Sequence, residues 1–416
     1  MDNLTINQSV DIDNVIVNNS FPLDSRQIEK IMAFHQNKPI TFGMVGGGPD
    51  SGIGETHRIA MRIDNKCELI AGAFSRSREK SLVVAKALRI ADERLYDNYR
   101  SMAAAESKRE DKIDAVCVVT PTDHHYEVAK TFLEAGIHVI CDKPLCVSLS
   151  EAKELLSLAD KSGLIVCLTH NYTGYAMVRQ AAKMVRNGEL GEIKAVHVEH
   201  ASGWASNLQE DEKKNEPSWR MNPTRLGDAS LLLDLGTHAH HLARFVTGLD
   251  VTQVVGELST IVPGRAIKDN GHALLRFENE ARGAMWISMA AVGNEQGIRI
   301  RVYGDKGSLE WFHEDPFHLR FCSVNGPAQT FAQGTDYVSD EARRWTRGGL
   351  GHPEGYFEAF ANLYSELADV IGANGTGRDA LGFPVALDGA KGLAFVEAFL
   401  RSYRSGGTWT NVEPIQ

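Results

Sequence analysis

The sequence contains no apolar run of the length that a membrane-spanning helix needs, which is about 20 residues. Its first residues, MDNLTINQSV, have no basic segment followed by an apolar stretch, so they do not resemble a secretory signal. Positive charge is not in excess either, because 44 Lys and Arg stand against 54 Asp and Glu, a formal net charge of −10. These absences argue against a membrane partner and against a general attraction for nucleic acid.

Cysteine is scarce and scattered. The six cysteines include no C-x-x-C pair, and Cys117, Cys141 and Cys167 lie inside apolar runs, where a free thiol behaves as a small hydrophobic side chain. This spacing favours neither a disulfide framework nor a zinc cluster. We therefore expect free thiols, no bound metal and a reducing compartment, the cytoplasm.

Predicted strands and helices alternate densely between residues 39 and 168. The apolar segments that predict buried strands are ITFGMVGG, ELIAGAF, DAVCVVT, HVICDKP and LIVCLTH. Almost wholly apolar strands are typical of a parallel sheet that is covered on both faces. The alternation predicts an α/β domain with a doubly wound parallel sheet over residues 39–168, preceded by an N-terminal extension of residues 1–38.

The pattern changes after residue 168. Segments such as QVVGELSTIV and GIRIRVYGDKGSLEWF alternate apolar and polar residues and are separated by turn signals, which is typical of antiparallel strands. Helical segments, among them EGYFEAFANLYSELADVIGA, precede and follow them. We expect residues 169–416 to form an α+β domain with a large open antiparallel sheet, and a length of 416 residues fits two domains.

A cluster of glycines, GGGPDSGIG, follows the first predicted strand and leads into a helix. Glycines at this place let the backbone turn tightly and approach a pyrophosphate, and the helix N-terminus supplies free N–H donors. The spacing is wider than in G-x-G-x-x-G, so the interpretation depends on the strand before and the helix after. We predict a dinucleotide site contacted by Gly46, Gly48, Gly52 and Ile53; a merely tight turn is the alternative.

The second predicted strand does not end in the acidic residue that usually binds the adenosine ribose. Ser75 and Arg76 stand there and are the candidates for contacts to the adenosine side of the cofactor. Both side chains suit a 2′-phosphate, but a serine also hydrogen-bonds a free 2′-hydroxyl. NAD and NADP therefore both remain possible, and a solvated surface charge is the alternative for Arg76.

Three motifs that occur together in one order along the chain point to a known family. The stretch VTPTDHHYEVAKTFLEAGIHVICDKPL contains a Thr-Pro dipeptide and an acidic-Lys-Pro motif, and LLDLGTH contains D-x-G-x-H. From Ile40 to the C-terminus the chain resembles the Gfo/Idh/MocA oxidoreductases, named after glucose–fructose oxidoreductase, inositol dehydrogenase and a rhizopine-catabolism protein. The resemblance implies a Rossmann domain, an NAD(P) cofactor, and hydride transfer between that cofactor and a secondary hydroxyl or ketone of a sugar, sugar derivative or inositol.

Lys143, Asp234 and His238 are the catalytic candidates. A lysine at the carboxyl end of a parallel strand lies where ligands bind in open α/β sheets, and partial desolvation would let Lys143 exchange a proton with a substrate oxygen. Asp234 and His238 are four residues apart, so on a helix they share a face, where the carboxylate could orient the imidazole that takes the alcohol proton. The resemblance implies the same three residues. A core histidine is the alternative for His238.

The resemblance also places cofactor contacts in two loops. One contains Thr120, Pro121 and His125, and the other contains Asp142 and Lys143.

Substrate contacts are predicted from two segments. Asn171, Tyr172 and Tyr175 follow the last strand of the first domain, with interdomain packing as the alternative for the tyrosines. A long polar loop runs from Trp204 to Gly227, and such a loop before a catalytic segment is typical of a lid, with a plain surface loop as the alternative. Trp219 and Arg220 are its candidates for substrate binding, and Arg225 is its candidate for pairing with a substrate anion.

The residues leave one alternative activity open. Some members of the wider family are glycoside hydrolases that keep NAD bound and act by oxidation, elimination and reduction, and they begin with the same hydride step. The partners expected here are a small polyol or sugar and further copies of the chain. Helices cover only one face of an open sheet, and related enzymes pair through the other, so we expect a homodimer or homotetramer with Trp286 near the interface.

Overall fold

The computed structural model describes residues 38–207, 221–373 and 382–416. Its first sheet consists of β1 (Ile40–Gly46), β2 (Cys67–Ala73), β3 (Ala115–Val119), β4 (His138–Cys141) and β5 (Val166–Leu168). All five strands are parallel and lie in the order β2-β1-β3-β4-β5. Alternate residues of β3 belong to two separate apolar clusters, because helices cover both faces of the sheet. The predicted doubly wound parallel sheet is confirmed.

The helices that follow these strands begin near the carboxyl edge of the sheet. They are α1 (Gly52–Ile63), α2 (Arg78–Leu88), α3 (Tyr99–Glu106), α4 (His125–Glu134) and α5 (Leu149–Ser162). Ser51, Ser77 and Ser148 cap α1, α2 and α5, since each hydroxyl accepts a backbone N–H of the first turn. The caps fix where the helices begin, and so they fix the loops at the functional edge of the sheet.

The second sheet has nine strands and is mixed. They are β6 (Ile193–Ala201), β7 (Val251–Ser259), β8 (Asn270–Phe277), β9 (Arg282–Ser288), β10 (Gly297–Gly304), β11 (Gly307–Phe312), β12 (His318–Ser323), β13 (Ala328–Ala332) and β14 (Thr410–Asn411). Their order is β13-β12-β11-β10-β6-β9-β8-β7-β14. Every pairing is antiparallel except β6 with β9. The predicted large open sheet is therefore correct, but its central pair is parallel because β6 inserts between strands that come much later in the chain.

Some helices of the second half pack against one face of this sheet. The helical segments are α6 (Ala176–Arg186), α7 (Pro223–Leu226), α8 (Thr237–Thr247), α9 (Asp340–Arg344), α10 (Tyr356–Gly372) and α11 (Ala386–Arg404). α6, α8 and α11 contact strands of the sheet. The opposite face forms an open groove of about 350 Å³ that is lined by apolar and charged side chains, including Leu274 and Trp286.

Helix α10 comes after β13 of the second sheet in the chain but packs on the first sheet. It contacts α1, β1 and β2, and the ring of its Tyr364 lies 5.6 Å from that of Phe42 in β1, centroid to centroid. Residues Ile40–Gln416 pack as one compact unit, so the division at residue 168 remains a prediction. The extension predicted for residues 1–38 lies outside the described residues except for Lys38. In the described ranges, no helix combines the length and the apolar character that crossing a bilayer requires.

Candidate active site

The catalytic candidates meet at the carboxyl end of the first sheet. A cavity of about 300 Å³ opens there and is lined by residues from both sheets and their helices. Asp142 and Lys143, which directly follow β4, face Asp234 and His238 across it. Asp234 belongs to a single π-helical turn, Leu232–Gly236, that leads into α8. Single π turns of this kind are frequent at functional sites.

Lys143 is held by Asp234. Its Nζ atom donates to the backbone carbonyl of Asp234 over 2.7 Å and to the carboxylate oxygen Oδ1 over 2.8 Å. The two side chains are only 13% and 20% exposed, so this is a largely desolvated ion pair. The four-residue spacing predicts the Asp234 carboxylate as a partner of His238, but in the structure one of its oxygens binds Lys143. The π turn brings both the carbonyl and the carboxylate toward Lys143.

His238 is buried beside this pair. Burial, followed by the positive charge of Lys143 and the neighbouring histidines, lowers the pKa of His238 well below its ordinary value. Its Nδ1 lies 3.4 Å from Nδ1 of His170, which leaves Nε2 as the other ring nitrogen available for bonding. A neutral imidazole next to a lysine ammonium places a proton acceptor and a proton donor in one cavity.

His240 and His241, which follow His238 in the chain, have packing roles. The ring of His240 stacks on Phe395 with centroids 4.6 Å apart, and the ring of His241 stacks on His170 at 4.4 Å. Among the described residues, no group of three or more His, Cys, Asp or Glu side chains is arranged to hold a metal ion.

The glycine loop has the close backbone packing of a dinucleotide-binding turn. Gly46 and Gly47 have φ values of +85° and +74°, a region that favours glycine. A Cβ atom on Gly54 would lie 2.4 Å from the Cα of Gly47, so the first turn of α1 packs directly on the loop. The prediction names Gly46, Gly48 and Gly52 but misses Gly54. Gly54 is the glycine that lets helix and strand approach each other, and the wide spacing of the cluster conceals this role in the sequence.

The residues present fit a bound NAD. The glycine loop leads into the N-terminus of α1, the end of a helix that suits a pyrophosphate, and Ile53 of its first turn lines the cavity. A Cβ on Gly48 would meet only Phe74 O and Ser75 Cβ, at 3.4 and 3.7 Å, so its surroundings leave room next to the backbone. On the adjacent strand end, the buried Oγ1 of Thr120 has no hydrogen-bond partner among the described residues. An unpaired buried hydroxyl there suits a ligand that carries hydroxyl or phosphate groups.

His125 connects two loops and does not face the cavity. Its Nδ1 lies 2.7 Å from the carbonyl oxygen of Pro144, and its Nε2 lies 2.9 Å from that of Thr120. Both ring nitrogens therefore contact the backbone of loops that flank the site. The structure gives His125 a bracing role, in contrast to the predicted cofactor contact, while Pro121 begins the loop that it braces.

At the second strand end, Ser75 and Arg76 are placed as the sequence predicts, directly after β2 and Phe74. The backbone N–H of Ser77 donates to Ser75 Oγ over 3.1 Å, so the hydroxyl proton of Ser75 is still available for donation. The Arg76 side chain is exposed. These contacts are compatible with a ribose that carries a free 2′-hydroxyl.

Two of the predicted substrate residues reach the cavity. Asn171 and Tyr172 line it, and the buried Nδ2 of Asn171 has no hydrogen-bond partner among the described residues. Tyr175 lies elsewhere, because its hydroxyl is 2.9 Å from Nε2 of His313 and its ring packs against Trp311. The contacts of Tyr175 are those of the packing alternative, and its substrate contact stays a prediction.

Trp219 and Arg220 lie outside the described residues. Arg225, near the end of the same loop, forms an ion pair with Asp123 in the loop after β3, with Nε and Oδ2 2.9 Å apart. In the structure Arg225 thus connects two loops, and its pairing with a substrate anion stays a prediction.

Sequence reasoning misses three polar residues of the cavity. Thr169 follows β5, His200 lies near the end of β6, and Gln296 precedes β10. The Nε2 atom of Gln296 lies 3.2 Å from the Tyr172 hydroxyl and 3.1 Å from Nε2 of His200. The alternation of HVEH could have placed His200 on the same face of β6 as Val198. No local pattern indicates Gln296, because only the tertiary structure brings this residue to the cavity.

Comparison with known proteins supports this description. Residues 40–172 match the family model described as an oxidoreductase family with an NAD-binding Rossmann fold, and residues 178–310 match the GFO/IDH/MocA C-terminal domain. A Bacillus subtilis protein named uncharacterized oxidoreductase YfiI is 35% identical over 90% of this chain and 97% of its own length.

Solved structures resemble the chain over most of its length. An oxidoreductase from Sinorhizobium meliloti is 40% identical, with a TM-score of 0.81 over 90% of this chain and 99% of that one. An inositol dehydrogenase homologue from Azotobacter vinelandii, complexed with NADH and myo-inositol, is 36% identical, with a TM-score of 0.83 over 90% of this chain and 98% of that one.

Proposed function

This chain belongs to the Gfo/Idh/MocA family of NAD-binding oxidoreductases, and we propose that it transfers hydride between NAD and a secondary hydroxyl or ketone of a sugar, sugar derivative or inositol. The observation that carries the proposal is the Lys143–Asp234 ion pair beside the neutral imidazole of His238 in one cavity. Oxidation of an alcohol needs a proton acceptor for the hydroxyl and a positive group for the oxygen that develops negative charge. The cavity contains both.

The three residues divide the proton chemistry between them. NAD supplies the hydride acceptor when it is bound. His238 accepts the hydroxyl proton on its free ring nitrogen as the C–H bond breaks, and the Lys143 ammonium stabilises the substrate oxygen. Asp234 holds the ammonium in place through two hydrogen bonds of 2.7 and 2.8 Å. In the direction of reduction, the same groups return the proton to the carbonyl oxygen.

The polar wall of the cavity supports a polyol as the substrate. Asn171 has an unpartnered buried amide nitrogen, and Tyr172, His200 and Gln296 form a hydrogen-bonded group next to it. Several donors and acceptors converging on a small cavity suit a ring with many hydroxyl groups. The inositol dehydrogenase homologue from Azotobacter vinelandii, which shares the fold over most of this chain, is named for such a substrate.

A panel of inositols, sugars and sugar phosphates tests the proposal. Each compound is incubated with the protein and with NAD or NADP, and formation of the reduced cofactor is followed by absorbance. We expect reduction of NAD with at least one cyclic polyol or sugar. No reduction with any compound, together with release of an aglycone from a glycoside, would instead favour the hydrolase that retains its cofactor.

We also propose that the chain forms a homo-oligomer through the uncovered face of its nine-stranded sheet. Leu274, 55% exposed in β8, and the half-buried Trp286 in β9 lie in the groove on that face. The Nε1 atom of Trp286 donates to Asn270 over 3.0 Å, and its ring stacks on His272, so the surface is preorganised. A broad sheet face with large side chains is typical of a protein interface. The active-site cavity lies on another side of the fold and stays within one chain.

A further inference from the structure

A buried polar cluster lies beneath the cavity, and the reaction described above does not use it. His57, in α1 and completely buried, has its Nδ1 2.7 Å from the hydroxyl of Tyr364 in α10. The Sγ atom of Cys117 in β3 lies 3.1 Å from that hydroxyl and 3.4 Å from Nδ1. The other ring nitrogen, Nε2, lies 3.8 Å from Oδ1 of Asp142. Three distant segments of the chain thus surround one imidazole.

The geometry places a hydrogen on one of the two ring nitrogens, Nε2. A lone pair on Nε2 would point at the Asp142 carboxylate and be repelled by it, so Nε2 carries a hydrogen directed at Asp142. Nδ1 and the Tyr364 hydroxyl share a second hydrogen bond. If His57 is protonated on both nitrogens, Nδ1 donates to Tyr364 and the tyrosine in turn donates to Cys117 Sγ. Nε2 meets Asp142 as an ion pair at 3.8 Å, a separation longer than a hydrogen bond.

The largely buried carboxylate of Asp142 is stabilised by a positively charged partner. Its side chain is 13% exposed, and its Oδ1 also accepts a hydrogen bond of 2.8 Å from Thr169. Burial opposes ionisation, but His57, and to a smaller extent Lys143 and His125, keep the pKa of this carboxyl below its ordinary value. Burial also lowers the pKa of His57, yet Cys117 and Asp142 outweigh that effect and raise it. A buried carboxylate next to a cationic imidazole is a stable arrangement, and either charge alone would be costly.

We propose that His57, held by Tyr364, is the cationic partner of Asp142 and that this pair balances the charge of the cavity in which Lys143 and Asp234 lie. His57 is a positioning residue, because it acts through Asp142. The inference rests on the proposed function, since the cavity is taken to receive the nicotinamide. The ring of NAD⁺ is positive and that of NADH is neutral, so the local charge affects the two forms differently.

Titration calorimetry of NAD⁺ and of NADH tests the proposal without any substrate. Loss of the His57 charge leaves the Asp142 carboxylate uncompensated and favours the positive ring. For His57→Leu we expect the ratio of the NADH to the NAD⁺ dissociation constant to rise about fivefold. His57→Gln keeps a side-chain N–H donor but no charge, and we expect the same direction of change.

A double-variant cycle shows whether the effect passes through Asp142. In the background of Asp142→Asn the buried imidazole has no carboxylate to hold its charge and should be neutral, so His57→Leu should leave the ratio unchanged. His240→Leu is the matched control, because it also removes a buried histidine but one that stacks on Phe395 away from the cavity. It should lower the thermal midpoint without changing the ratio.

Each result supports or overturns the inference. A wild-type ratio in His57→Leu or His57→Gln overturns the cationic role, and an equal shift with and without Asp142 overturns the path through the carboxylate. If the wild-type protein binds neither dinucleotide, the proposed function fails as well. Binding of both with an unchanged ratio removes only the role of His57.

Discussion

Lys143 and Asp234 are joined by two hydrogen bonds from one ammonium group, one to a main-chain carbonyl and one to a carboxylate. The lysine follows a strand of the first sheet, whereas the aspartate belongs to the turn before α8. The ion pair therefore holds together parts of the chain that are 91 residues apart. It fixes the lysine at the cavity with little exposure to solvent.

Replacing Lys143 with alanine should remove the positive charge beside the substrate oxygen. We expect kcat to fall by about 10² or more, with the fold and the NAD affinity retained, because the loss affects a positioned acid–base group. Steady-state rates, calorimetry and circular dichroism measure the three properties. Lys153→Ala is the control, since Lys153 is an exposed lysine of α5 that pairs with Glu413. Turnover at the wild-type rate in Lys143→Ala would exclude the residue from the mechanism.

A valine at Gly48 should abolish dinucleotide binding without unfolding the protein. The added side chain meets no close atom of the fold, as the nearest contacts of its Cβ are at 3.4 and 3.7 Å, so it occupies the space next to the loop where the pyrophosphate is expected. Calorimetry should show a loss of NAD affinity of at least tenfold. An affinity within about threefold of wild type would mean that the pyrophosphate does not approach Gly48.

Gly54→Val provides the contrast to Gly48→Val. Its Cβ would lie 2.4 Å from the Cα of Gly47, so the substitution must displace backbone and should destabilise the folded chain itself. We expect a clearly lower thermal midpoint for Gly54→Val and one close to wild type for Gly48→Val. Equal midpoints would contradict the close packing of α1 on the loop.

Patterns that depend on local sequence are predicted well, and contacts that depend on tertiary pairing are not. All five residues of β3 are apolar, and an apolar run of this kind predicts a strand that is covered on both faces. The partner of Asp234, by contrast, is set by a π turn that the four-residue spacing to His238 does not reveal. Tyr175 looks like a cavity residue from its neighbours, but its hydroxyl contacts His313, far along the chain.

The packing of α10 illustrates the same limit. Its apolar pattern predicts a helix, but nothing in it indicates that the helix returns to the first sheet, where Tyr364 binds His57. A division of the chain by strand pattern alone therefore separates two residues that share a hydrogen bond.

Acid should destabilise the protein through its buried histidines. Burial lowers the pKa of His200 and His241 to about 3, and it lowers those of His170, His238 and His240 well below the ordinary value. The unfolded chain takes up these protons below about pH 6.5, so it binds more protons than the folded chain. The free energy of unfolding therefore decreases as the pH falls from 6.5, by about 1.4 kcal/mol per pH unit for each such histidine.

Urea unfolding between pH 7 and pH 5 measures this dependence. His57 acts in the opposite direction, because its raised pKa lets the folded chain hold a proton that the unfolded chain releases as the pH rises above about 6.5. The several histidines with lowered pKa should outweigh it. His240→Leu removes one of them, and its unfolding free energy should depend less steeply on pH. An identical slope in wild type and variant would contradict a neutral, buried His240.

The groove on the nine-stranded sheet makes the assembly testable. Light scattering at low micromolar concentration should give a mass that is a multiple of the 45.7 kDa chain. Leu274→Glu places a carboxylate in the groove and should dissociate the oligomer, because an interface core does not accommodate an unpaired charge. Val83→Glu is the matched control, because Val83 is 57% exposed on α2, a helix outside the nine-stranded sheet. This substitution should leave the mass unchanged. A wild-type mass equal to that of one chain would contradict the sheet-to-sheet interface, and an oligomer that survives Leu274→Glu would place the interface on another surface.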